Sequence, residues 1–310
     1  MAGGRSTRRR VVCLPFDDWE RHLDLPPSLT VVVWRSGLAL PPPADVDFYV
    51  PEYMGPSAAI DVVQELGGLD VVQTLTAGYD DVLVRLPTGV TLCNARGVHD
   101  ASTAELAVAL VTASLRGLSD FVREQDRGAW SHVRRPALAD RRVLVVGAGS
   151  VGQAIAARLR PFETDVVVMG RQARDGVVGV ADLEVVLPDV DVVVLAVPLT
   201  TETNRMFDAA QLARMKDGAL LVNVSRGPVV DTEALLAELL STRLSAALDV
   251  TDPEPLPADH PLWSAPQVLI TPHVGGDTSA FLPRAWDLLG SQLSRYATGR
   301  PLKNVVAGGR

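Results

Sequence analysis

Short runs rich in Val, Leu, Ile and Thr alternate along the chain with stretches whose apolar residues recur every three or four positions. That alternation predicts strands interleaved with helices, and so parallel sheets. In the first third the strands fall at 11–14, 30–34, 47–50, 70–73 and 91–93, with a helix over 57–66. Pro41-Pro42-Pro43 is incompatible with a regular element and predicts a loop. A long helical pattern runs from Thr103 to about Arg123. Ser102-Thr103-Ala104-Glu105 has the capping-box form before it, with Ser102 as N-cap. Gly128 and Pro136 mark an irregular connection. From Arg142 a second series of strands begins, at 143–146, 166–169, 192–197, 219–224, 245–249 and 268–270. Helices at 151–160, 181–187, 209–215 and 232–240 separate them, and a last helix covers about 278–298. The two series predict an α/β protein with two open, mostly parallel sheet domains. The Thr103 helix and the last helix are the natural connectors. They predict a discontinuous first domain, 1–98 with 286–310, and a second domain, 99–285.

Composition narrows the classes. Of 310 residues 47% are hydrophobic and 21% charged, which supplies a sizeable core and excludes wholesale disorder. Lys and Arg number 29 against 37 Asp and Glu, a net charge of −8, so the basic surface that nucleic acid requires is absent. Cys13 and Cys93 are the only cysteines. One disulfide is conceivable, whereas a disulfide framework and a four-thiolate zinc site are excluded, and no metal is expected. The arginines between Arg5 and Arg10 read as a solvated, frayed tail. The apolar run Val11–Leu14 after them is too short for a signal peptide and is followed by Asp17, Asp18 and Glu20. No apolar run approaches the roughly 20 residues of a bilayer span. The expectation is a cytoplasmic protein without membrane partners.

The first chemical signal is Val143-Leu144-Val145-Val146-Gly147-Ala148-Gly149-Ser150-Val151-Gly152, a buried strand, a GxGxxG loop and the start of a helix. In that context the pattern reads as a dinucleotide site. Gly147 permits the tight turn, Gly149 lets backbone approach a pyrophosphate, and Gly152 allows close helix–strand packing. The N–H groups near Ser150 and Val151 face the anion. The next strand should end in Asp or Glu if a ribose 2′-hydroxyl is bound. Here it ends in Gly170-Arg171-Gln172. A missing carboxylate removes repulsion against a 2′-phosphate, and Arg171 supplies a bidentate partner for it. NADP is therefore expected ahead of NAD.

Three later strands end in polar residues: Arg226 after 219–224, Glu254 after 245–249 and His273 after 268–270. Ligands of open parallel sheets sit beyond the carboxyl ends of the strands, so these three are candidates to converge. Together with Thr76-Ala77-Gly78-Tyr79-Asp80, Asn94 to Gly97, Thr103-Ala104-Glu105, Pro198-Leu199-Thr200 with Glu202-Thr203, Val222 to Gly227, Leu248-Asp249-Val250 and Thr271-Pro272-His273, they make the chain resemble the D-isomer-specific 2-hydroxyacid dehydrogenase family. That family includes glyoxylate/hydroxypyruvate reductases, phosphoglycerate dehydrogenases and formate dehydrogenases. The resemblance covers about Asp70 to Val306.

The resemblance implies a Rossmann cofactor domain and a flavodoxin-like substrate domain. It implies that Arg226 binds the substrate carboxylate and carbonyl, that His273 is the acid/base and that Glu254 is its partner. It also implies that the backbone at Ala77 and Gly78 meets the carboxylate and that Asp249 faces the nicotinamide amide. Thr103, Pro198, Thr203, Val224, Ser225 and Gly275 fall on the cofactor side. The sequence departs from the family at Pro228, where another Gly is frequent, and at Ser241-Thr242-Arg243, which lacks a usual turn Gly. Asn94-Ala95-Arg96-Gly97 also differs from the Pro-Gly form of that loop. The residue types suit hydride transfer to a keto carbon: a histidine donates a proton to the oxygen, and a guanidinium fork holds the carboxylate. The leading expectation is an NADPH-dependent reductase of a small 2-keto acid such as glyoxylate or hydroxypyruvate, acting as a homodimer through surplus apolar surface on the Thr103 helix. Two alternatives remain open: an NAD-linked dehydrogenase of a bulkier or phosphorylated hydroxy acid, and a dinucleotide-sensing binding protein of the same fold.

Overall fold

The computed structural model describes residues 9–36 and 45–308. Residues 1–8 of the expected basic tail and the expected loop at Pro41-Pro42-Pro43 lie outside the described residues. The chain divides into two compact units, Met1–His99 with Ser279–Arg310, and Asp100–Thr278. Among the described residues no helix is long and apolar enough to cross a membrane.

In the first unit one sheet runs in the order Val305–Ala307, Thr91–Cys93, Val71–Gln73, Phe48–Tyr49, Arg10–Leu14, Leu29–Val33. The last five pair in parallel, in the flavodoxin-like order 2-1-3-4-5 counted along the chain. The sixth, Val305–Ala307, joins antiparallel to Thr91–Cys93. Successive side chains point to opposite faces. Val12, Leu14, Phe48 and Val71 thus pack with the helix Phe281–Thr298, while Tyr49, Val72 and Leu92 pack with Val62, Val63 and Leu66 on the other face. The last helix belongs to this unit from its first turn, since Phe281, Ala285 and Trp286 lie in its core.

In the second unit seven strands pair, all parallel, in the order Val268–Ile270, Ser245–Leu248, Leu220–Asn223, Val192–Leu195, Arg142–Val146, Asp165–Gly170, Val178–Gly179. Counted along the chain from Arg142, this is the Rossmann order 3-2-1-4-5-6 with a seventh strand added. Both faces are covered, which is why these strands read as continuous Val and Leu runs. Val143, Val145, Val192, Val194, Leu220 and Val222 face the helices Asp100–Arg116 and Ser150–Leu159. Leu144, Val146, Val193, Leu195 and Leu221 face the helices Ala209–Arg214 and Thr232–Leu240.

Three readings of the sequence need correction. The helix begins at Asp100, so Ser102 is no N-cap: it lies buried in the first turn, its hydroxyl 2.7 Å from Thr278 Oγ1. The helical pattern 103–123 is two helices, Asp100–Arg116 and Leu118–Asp126, because Gly117 adopts a left-handed φ of 60°. In the first of these Ala104, Ala107, Leu110 and Val111 lie in its own unit's core. Cys13 and Cys93 are free and buried. Two strands separate theirs in the sheet, and they face opposite sides, which is too far for a disulfide. Burial pushes their thiols up to about 12 and about 11, although a Gln292 hydrogen bond pulls the second back. The strands Val178–Gly179 and Val305–Ala307 have no signal in the sequence, being too short for periodicity; their pairing partners define them.

Candidate active site

The phosphate loop is built as its spacing demands. Gly147 has φ +128°, and a Cβ there would lie 2.2 Å from the carbonyl oxygen of Ala196. A Cβ on Gly152 would lie 1.7 Å from Gly147 O, so the helix could not seat against the loop with any other residue. Gly149 is different: a Cβ on it would meet nothing within 4 Å. That leaves open space over the loop on the side where a pyrophosphate would approach. The helix Ser150–Leu159 starts there with Gly149 as N-cap and no side chain capping it. Its first N–H groups, at Ser150 and Val151, suit an anion. Ser150 Oγ donates to Asp100 at 3.1 Å. These features fit a dinucleotide.

The second strand of this sheet runs to Gly170 and passes into exposed Arg171 and Gln172 with no acid at its end. Arg171 is close enough to Glu202 to help lower that carboxyl's pKa, after the Thr200 hydroxyl and a backbone N–H. The loop carrying Glu202 follows the strand Val192–Leu195. It is closed by Thr203, whose hydroxyl donates to Pro198 O at 2.6 Å and accepts from Thr200 N at 2.8 Å. Thr103 lies in the first turns of the helix Asp100–Arg116 and donates to Gly275 O at 3.3 Å.

Arg226 follows the strand Leu220–Asn223 through Val224 and Ser225, both 8% exposed. Its turn is braced by a residue the sequence did not single out. Asn223, 1% exposed, donates to Arg226 O at 2.9 Å and accepts from Ser225 N at 3.0 Å and Ser225 Oγ at 2.7 Å. Gly227 is packed so tightly that a Cβ would fall 1.9 Å from Thr251 O, which ties the Arg226 turn to the next strand's loop.

That loop carries Glu254, whose Oε1 pairs with His273 Nδ1. Burial works against the Glu254 charge, but the His273 hydrogen bond and charge, a backbone N–H and the Arg226 charge outweigh it, so the carboxyl lies below its ordinary value. His273 sits at φ 53°, a left-handed conformation that costs a non-glycine residue roughly 1–3 kcal/mol. Asp249 holds it there. Its carboxylate, 3% exposed, accepts from Thr271 Oγ1 at 2.6 Å, Val274 N at 3.0 Å and Gly275 N at 2.9 Å, and its carbonyl accepts from His273 N at 2.8 Å. Asp249 thus shapes the turn that presents the imidazole. With Nδ1 engaged by Glu254, the ring's Nε2 is the nitrogen left for proton transfer.

In the first unit, the loop after Val71–Gln73 is held from its acceptor side. Asn94 Nδ2 donates to Ala77 O at 2.7 Å, and Thr76 Oγ1 donates to Gly78 O at 2.7 Å.

Residues 108–275 match the family model described as D-isomer specific 2-hydroxyacid dehydrogenase, NAD binding domain. The chain is 32% identical over 308 residues to the glyoxylate reductase of Korarchaeum cryptofilum, covering 93% of this chain and 90% of that protein. It is 30% identical over 256 residues to the D-3-phosphoglycerate dehydrogenase of Archaeoglobus fulgidus, 79% of this chain but 49% of that one, so it spans about half that relative's length. Among solved structures, a D-isomer specific 2-hydroxyacid dehydrogenase from Xanthobacter autotrophicus Py2 in complex with NADPH and MES superposes with TM-score 0.81 at 30% identity, over 97% of this chain and 98% of that one. The NADPH-dependent glyoxylate/hydroxypyruvate reductase of Sinorhizobium meliloti, in complex with NADP and sulfate, superposes with TM-score 0.82 at 25% identity, over 96% and 98%.

Proposed function

Because the chain belongs to the D-isomer specific 2-hydroxyacid dehydrogenase family, we propose that it reduces a small 2-keto acid, such as glyoxylate or hydroxypyruvate, with NADPH preferred over NADH, and that it works as a homodimer. The family makes it an NAD(P)-dependent 2-hydroxyacid dehydrogenase. The observation that carries the finer reading is the pairing of His273 with Glu254 at the sheet edge where Arg226 also emerges.

Gly147–Gly152 would hold the dinucleotide, which when bound would supply a hydride to the keto carbon. Negative charge then grows on the carbonyl oxygen, and His273 donates its Nε2 proton there. Glu254, on Nδ1, fixes the ring's orientation and offsets its positive charge. Arg226 takes the substrate carboxylate in its planar fork and opposes the charge developing beside it. The guanidinium fork matches a carboxylate in shape and charge, so a substrate lacking the carboxylate should bind poorly. Arg171, where a ribose-binding acid would otherwise stand, supports the NADP(H) preference. The named relatives that carry NADPH or NADP support it by analogy.

The test is a panel of NADPH and NADH, each against glyoxylate, hydroxypyruvate and uncharged ketones, with Arg226→Lys alongside. We expect NADPH with the keto acids to dominate. We expect Arg226→Lys, which keeps the charge and loses the fork, to cost at least about tenfold in kcat/KM. Uncharged ketones reduced as efficiently as glyoxylate, or a silent Arg226→Lys, would overturn the assignment.

A further inference from the structure

The sequence drew attention to Arg171 and left Arg174 unremarked, but the structure gives Arg174 the more defined position. After the strand Asp165–Gly170 the chain folds back in a hairpin with Asp175-Gly176 at its tip, where Gly176 has φ 68°. Arg174 N donates to Val177 O at 3.0 Å, and Val177 N donates to Arg174 O at 2.9 Å, so the Arg174 backbone is fixed on both sides. Its guanidinium then reaches back across 26 positions and donates from Nη2 to Ala148 O at 3.1 Å. Ala148 lies between Gly147 and Gly149, inside the phosphate loop. The hairpin and the loop also meet over the strand end: a Cβ on Gly170 would be 3.0 Å from Val177 Cγ1 and 3.1 Å from Ala148 Cβ.

The hydrogen bond to Ala148 uses one of the five N–H donors of the guanidinium. The rest of the fork remains at the end of the second strand, where a dinucleotide places its adenosine ribose. A 2′-phosphate carries close to two negative charges, which one guanidinium balances poorly.

Resting on the NADP(H) reading above, we propose that Arg174 is the second 2′-phosphate-binding residue, with its bond to Ala148 O holding the guanidinium ready before the cofactor arrives. A donor held in place by the protein spends less ordering on binding than a free surface arginine. Arg174 thereby ties its hairpin to the loop that takes the pyrophosphate.

The experiment is calorimetric titration of the full chain with NADPH and with NADH, for wild type, Arg171→Ala, Arg174→Ala and Arg174→Lys, with melting temperatures measured in parallel. Arg174→Ala should weaken NADPH about 10- to 150-fold, the range of one charge-assisted bond, while NADH changes by no more than about twofold. Arg174→Lys should fall between Arg174→Ala and wild type, since it keeps the charge and loses the fork. Equal losses for both cofactors would overturn the proposal by making Arg174 a support of the loop alone, and unchanged NADPH affinity would overturn it outright. If wild type binds NADH as tightly as NADPH, the cofactor reading fails and this inference fails with it. If Arg171→Ala abolishes the preference while Arg174→Ala keeps it, only this inference fails.

Discussion

At the scale of single residues, the chemistry rests on groups held by specific partners. Glu254 shows this through its titration. Its carboxyl lies below the ordinary value in the folded chain, burial opposing and His273 with Arg226 prevailing. A depressed folded-state pKa means stabilisation that is present above the unfolded value, near pH 4.5, and lost as pH falls through the folded value. Glutamine mimics the protonated acid. The melting temperature of Glu254→Gln should therefore lie below wild type at pH 7, and the gap should close as both are taken toward pH 3. Glu254 is partly exposed, so the gap will be small and is best measured at low salt. A gap that does not vary with pH would show that the pairing contributes nothing through charge. Asp249 acts through geometry: its oxygens accept from two backbone N–H groups and from Thr271, which fixes the turn carrying His273.

At the scale of elements, what could be read from the sequence and what could not divide along sequence distance. The glycine loop was legible because turn, phosphate approach and helix packing are all set within six consecutive residues. The mostly parallel sheets followed from the alternation of strands and helices, while the two shortest strands escaped because two or three residues carry no period. Ser102 misled because a capping box is a local pattern, and its hydroxyl found Thr278, far along the chain, instead. Arg174 was invisible for the same reason, its partner being Ala148. Asn223 lay inside a quoted segment yet gave no sign of its role, because its side chain bonds its own turn only once the strand has ended. Its three hydrogen bonds predict that Asn223→Ala will lose about 1–3 kcal/mol of stability, as a buried polar brace does. If the turn aims Arg226, kcat/KM for the keto acid should also fall at least about tenfold. Denaturant titration and steady-state kinetics on the same preparation check both, and an unchanged kcat/KM at reduced stability would detach the turn from substrate binding.

At the scale of the whole molecule, the remaining question is what covers the apolar surface of the second unit. The sequence placed that surface on the stretch from Thr103 to about Arg123, whose first part packs Ala104, Ala107, Leu110 and Val111 into the unit's own core. The exposure lies at the end of that stretch and just beyond it. Leu118 is 49% exposed, Val122 59%, Val133 50% and Trp130 98%. Four large apolar side chains lie open to solvent within sixteen positions, and tryptophan is the residue most enriched where interfaces concentrate their energy. On the same unit a cleft of about 360 Å³, lined by Leu115, Leu138, Pro161 and Phe162 among others, offers an apolar seat for such a side chain. A second copy of the chain presents the same patch and the same seat, which is what a twofold interface requires. Light scattering at micromolar concentration should therefore give twice the chain mass for wild type. Trp130→Asp should shift the mass toward the monomer with the far-ultraviolet circular dichroism unchanged, because a side chain 98% exposed contributes nothing to its own unit's core. A monomeric wild type would remove the dimer altogether, and a dimeric Trp130→Asp would move the interface away from this patch.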